Sequence, residues 1–129
     1  MLWLVRSAIV MLFPRTELPG AEDCDLDAFL VRFKRDTPFL VWLGTVAGAF
    51  LFHFSTLFTV FVPLPAFWLP RNLADRHADR IATTNFYVVR QAVLLVKMCG
   101  ALCWGADPKV RKAFALPPLG VDPGTWRTP

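Results

Sequence analysis

The stretch from Pro38 to Val62, PFLVWLGTVAGAFLFHFSTLFTVFV, runs for 25 residues without an Asp, Glu, Lys or Arg. As one continuous helix it would rise about 37 Å at ~1.5 Å per residue, enough to cross a hydrocarbon core of about 30 Å. Its flanks suit that placement. Arg32, Lys34 and Arg35 stand before it, and Trp68 and Arg71 follow it, residue types that settle at headgroup depth. The stretch is read as a single transmembrane helix over 38–62, and the chain as an all-α membrane protein arranged around it.

The rest of the composition agrees. With 129 residues and 55% apolar content, the chain has room for one domain and little left over for a separate water-soluble core. The net charge of +4 is spread along the chain. A nucleic-acid surface would concentrate it, so the cations are read as contacts to membrane lipids and nucleic acid is not expected as a partner. Three cysteines, Cys24, Cys99 and Cys103, are too few for a disulfide framework.

Outward from the central stretch toward the N-terminus, MLWLVRSAIVMLF carries Arg6 inside its apolar run and has no A-x-A-like cleavage site after it. It is expected to be retained. As a helix it covers only about 20 Å, so it should lie in the interface or against a partner without crossing. Pro14 to Glu22 is a connector. From Asp25, Leu26, Phe29, Leu30 and Phe33 fall at i, i+3, i+4 and i+7, the stripe of an amphipathic helix on the membrane surface. It should stop by Asp36–Thr37, because proline disfavours a helical residue before it. Residues 1–37 therefore form an N-terminal interfacial segment and amphipathic helix.

Toward the C-terminus, Pro63, Pro65 and Pro70 end the span and Trp68 anchors the turn. Asn72 is expected to cap a second long helix from about Leu73 to Trp104, with Arg76 and Asp79 locally paired at i, i+3. Its later part is long enough to cross a membrane but holds Arg90 and Lys97. Seven residues apart, these share one face, which a helix can turn from lipid toward water or acidic groups of another subunit. Residues 63–106 are thus read as an interfacial turn and a second long helix, whose part over 81–106 is preferred as interfacial or partner-packed, with a second crossing the alternative. Asp107-Pro108 reads as N-cap and first helical position of a short helix to about Phe114. Four prolines between Leu116 and Pro129 exclude helix and internal strand there. Within 107–129 the tail is expected to dock in extended form on a partner subunit, with Trp126 as anchor and Arg127 paired to an acid.

Few residues carry chemistry. His53 is the one ionisable side chain inside the span, and intramembrane ionisable groups are functional candidates by default. Ala49, His53 and Leu57 also share the A-x-x-x-H-x-x-x-L spacing of bacterial light-harvesting polypeptides, so haem or bacteriochlorophyll at His53 is one reading. A neutral histidine bonded to a neighbouring helix is the other. Gly44, Gly48 and Ala49 form a small-residue face that would admit a partner helix. Cys99 and Cys103 at i, i+4 match neither the spacing of zinc knuckles nor a redox C-x-x-C. His77 lies between Asp75 and Asp79, but Arg76 and Arg80 account for those carboxylates without acid–base chemistry. No phosphate loop, nucleophile elbow or Ser/His/Asp set is present, so no catalytic residue and no cofactor of its own is expected.

The stretch ADRIATTNFYVVRQAVLLVKMCGALCWGADPKVRKAFALPPLGVDPGTWR, chiefly CWGADPKVR and DPGTWR, resembles the C-terminal half of small uncharacterised bacterial membrane proteins. Those proteins accompany flavin-dependent oxidoreductases of the glucose–methanol–choline (GMC) type. The resemblance implies a non-catalytic accessory or anchor subunit of a larger complex, holding a flavoprotein at the bacterial inner membrane near the quinone pool.

Overall fold

A computed structural model of the chain describes residues 1–121. Trp126 and Arg127, with the docking role expected of them, lie outside the described residues. Seven α-helices and two short 3-10 turns make up the described fold, and no strand occurs among the described residues. The helices are α1 (Leu2–Leu12), α2 (Leu26–Asp36), α3 (Phe39–Phe54), α4 (Thr56–Thr59), α5 (Arg71–Ala82), α6 (Tyr87–Ala106) and α7 (Pro108–Ala113).

The uncharged stretch does not form one continuous helix. α3 stops at Phe54, the chain turns at Ser55, and α4 adds a single further turn. The hydroxyl-bearing residues supply the reason. Ser, Thr and Asn side chains offer the backbone alternatives to the helical ladder, and here the Thr56 hydroxyl donates to the Leu64 carbonyl at 2.6 Å. Phe61 then adopts the left-handed conformation at φ 59°, turning the chain into Pro63 and Pro65. At 16 residues, α3 covers only about 24 Å. Among the described residues, the helix long and apolar enough to cross a membrane is α6, with 20 residues.

The second helical region is likewise divided. α5 begins at Arg71 behind Pro70, so Asn72 sits inside the first turn and caps nothing. The chain leaves helix between Thr83 and Phe86, where the Thr84 hydroxyl accepts from the Phe86 amide. Arg76 and Asp79 form no ion pair, and each stays exposed.

α3 and α6 are the central pair, running antiparallel: Gly44 lies against Leu95, while Gly48, one turn on, lies against Ala92. α1 fills the groove behind them. Leu4, Val5, Ala8 and Ile9 are buried, and Ile9 and Phe13 reach Gly100 of α6. The N-terminal segment thus packs as a core helix, with α3 and α6 covering the apolar side that lipid would otherwise have taken. α2 keeps its expected boundaries, and its Leu26 and Leu30 are buried against the bundle. Its stripe therefore packs on protein, with Arg6 of α1 bonded to Asp27 at 3.0 Å on the rim.

The end of α6 is tied to the connector. Trp104 Nε1 donates to the Pro19 carbonyl at 2.7 Å, and Lys109 Nζ donates to the Asp23 carbonyl at 3.0 Å. α7 starts where expected, with Asp107 accepting from the Lys109 amide at 2.8 Å. It ends in a Schellman motif: the Leu116 amide reaches Arg111, the Ala115 amide reaches Lys112, and Ala115 sits at φ 53°. Asp107→Ala should therefore loosen α7 by about 1 kcal/mol, and Ala115→Gly should tighten it by about as much. Hydrogen exchange of the α7 amides measures both, and equal protection in the two variants would contradict this account.

Candidate functional site: two buried histidines behind an apolar face

The outward residues of α3 carry no charge. Leu40, Leu43, Phe50 and Phe54 are exposed there, and Phe58 of α4 continues the row. Beside them, α6 exposes Leu94, Met98 and Leu102. Spacings of three and four residues put each set on one side of its helix. The two helices together present one apolar face. Arg90 and Lys97 stand on a shared edge of α6, Arg90 exposed with its guanidinium carbon 6.0 Å from the Tyr87 ring centroid and Lys97 half-buried.

The small-residue face of α3 is used inside the chain. A Cβ on Gly48 would lie 2.1 Å from the Ala92 carbonyl oxygen, and one on Gly44 would lie 2.9 Å from Leu95 Cδ1. Both glycines admit α6 itself, so they leave no groove on that side for a helix of another subunit.

Behind the face lie His53 and His77, each 0% exposed. His53 Nε2 is 3.0 Å from the Leu4 carbonyl of α1. A carbonyl only accepts, so Nε2 carries the proton and donates it. Nδ1 is then a bare lone pair, and it is buried without a partner. The ring is held edge-on between Phe52 and Phe67, at centroid distances of 5.4 and 5.2 Å.

His77 is fully satisfied. Its Nε2 donates to the Phe52 carbonyl at 2.6 Å, which leaves Nδ1 to accept from the Thr59 hydroxyl. Arg80 donates to the carbonyl of the same threonine. Burial lowers the His77 pKa from its ordinary 6.5, against the opposing pull of the Phe52 hydrogen bond, so the ring is neutral at neutral pH. One side chain thus joins α5 to both α3 and α4 across the break at Ser55.

The charged residues on either side of His77 hide this role in the sequence. The signal was present: Ala74, His77, Ala78 and Ile81 stand at i, i+3, i+4 and i+7, and all four are buried. The cysteines gather no chemistry. Cys99 and Cys103 are buried, and Cys24 Sγ donates to the Gly20 carbonyl at 3.6 Å. Burial, with Asp107 nearby, pushes the Cys24 thiol up to about 12, far from a nucleophilic thiolate. Among the described residues, no group of three or more His, Cys, Asp or Glu is placed to hold a metal ion.

Fold and face together define, over the described residues, a small all-helical protein in which one helix is long and apolar enough to cross a membrane. No protein-family model matches the chain, and neither does any curated protein or solved structure.

Proposed function

We propose that the chain is a non-catalytic accessory subunit that seats a larger oxidoreductase, a flavoprotein of the GMC type, on the bacterial cytoplasmic membrane. The observation supporting the anchor is the segregation of charge. α3 and α6 turn an uncharged apolar face outward, while α2 and α5 turn Asp, Arg and Lys outward. The oxidoreductase partner rests on the resemblance of the C-terminal stretch. A contiguous exposed apolar surface of this kind marks lipid or a partner.

A second reading, a small subunit of a haem- or bacteriochlorophyll-bearing complex, draws on the bare Nδ1 of His53. It stands behind the first because the ring is enclosed: a tetrapyrrole at His53 would have to displace Phe52 and Phe67. An absorption spectrum of the assembly purified through this chain separates the two. The expected outcome is a flavin band in the co-purified assembly, unchanged in His53→Ala. A Soret or bacteriochlorophyll band that disappears in His53→Ala would overturn the accessory reading in favour of the pigment subunit.

A further inference from the structure

The polar helix α5 lies along the same bundle that carries the apolar face, and this fixes how the molecule can meet lipid. At one end of α5, Arg71 and Asp75 share a depression with Val10, Arg15 and Glu22, beside the C-terminal end of α1. Further along, His77 is bonded to Phe52 of α3. At the other end, Ile81 and Thr84 share a depression with Ser55 and Phe58. α5 therefore runs from the C-terminal end of α1 to the C-terminal end of α3. Its Arg71, Asp75, Arg76, Asp79 and Arg80 are all exposed.

Were α3 and α6 to stand upright in a bilayer, these charges would lie within the hydrocarbon depth, where ionised side chains are strongly disfavoured. α3 is also short for an upright helix, at about 24 Å against a core of about 30 Å. Laid flat, the molecule meets neither difficulty. The apolar face then points into lipid, and α5 and α2 point into water. Trp3 and Trp68 are both exposed and both ring-packed on Phe67, amphipathic aromatics of the kind that sit at the lipid–water boundary.

We propose that the chain is monotopic: the α3–α6 face sinks into the acyl region of one phospholipid leaflet with its helix axes in the membrane plane. α6 then uses its apolar length as a float and does not cross. The inference rests on the membrane-anchor reading and specifies its geometry.

Oriented circular dichroism of the full chain in aligned bilayers of phosphatidylethanolamine and phosphatidylglycerol tests it without any substitution. Helices lying in the plane retain the parallel-polarised band that upright helices lose. Retention of that band is the expected result; its loss would overturn the in-plane geometry and leave the anchor intact. A chain that fails to float with vesicles of the same lipids would overturn the anchor as well, and would assign the face to a protein. A second measurement counts sides within single molecules. With the native cysteines replaced, Lys34→Cys and Asn85→Cys are placed at opposite ends of the α3–α6 pair. An impermeant polyethylene-glycol maleimide applied to sealed proteoliposomes should shift each molecule by two tags or none. Molecules carrying one tag would show that the chain crosses.

Discussion

Gly48→Ala should cost the fold about 3 kcal/mol or more, one added carbon undoing the closest contact between α3 and α6. The new Cβ would stand 2.1 Å from the Ala92 carbonyl oxygen and 2.9 Å from its carbon. Both are backbone atoms, so relief requires α6 to move as a body, which also lifts Val96 from the core. Overpacking ordinarily costs about 1–3 kcal/mol where side chains can yield, and here the obstacle cannot. Gly44→Ala meets only the tip of Leu95 at 2.9 Å, a group that can rotate away, and should cost less. Gly105→Ala meets nothing within 4 Å and should be neutral, or gain up to about 1 kcal/mol from helix propensity. Unfolding of the three variants in detergent, followed by circular dichroism, should rank them in that order. A wild-type midpoint for Gly48→Ala would mean that the two backbones do not meet there.

That contact also shows what the sequence discloses and what it withholds. Small residues at Gly44 and Gly48 are legible as a face built for close approach. Whether the approaching helix belongs to the same chain is not, because spacing along α3 carries no information about α6. The all-helical class, the stripe of α2 and the Asp107-Pro108 start of α7 could be read directly, since each depends on residues within a turn or two. Leu2–Leu12 was harder, because lipid and a protein core ask for the same side chains and hydropathy does not separate them. The break at Ser55 depends on where the Thr56 and Thr59 hydroxyls find partners, at Leu64 and His77, which only the folded chain brings near. His53 could be singled out as a buried ionisable group, but its bond to Leu4 required the position of α1.

His77→Ala should be the most damaging substitution in α5, at about 2–4 kcal/mol. It leaves a cavity beside Phe52 and removes the two hydrogen bonds by which α5 holds the Phe52 carbonyl and the Thr59 hydroxyl. His77→Phe refills the volume without restoring either hydrogen bond and should recover part of the loss. Acid should act on the same contact. Burial holds the folded His77 below its ordinary 6.5, so as pH falls past that value the unfolded chain takes up a proton that the folded chain resists. The contribution of this group is therefore complete above about pH 6.5 and declines as pH falls toward the folded value. A proton on Nδ1 would also reverse the Thr59 contact: the ring would donate to the Thr59 hydroxyl oxygen, whose hydrogen turns to the Ser55 or Thr56 carbonyl. Thermal midpoints measured between about pH 7.5 and 5.5 should fall for the wild type and fall less steeply for His77→Phe. The difference between the two slopes cancels the titrating groups the two proteins share, apart from the influence that a charged His77 has on His53. Identical slopes would mean that His77 accepts its proton in the folded state as readily as in the unfolded chain.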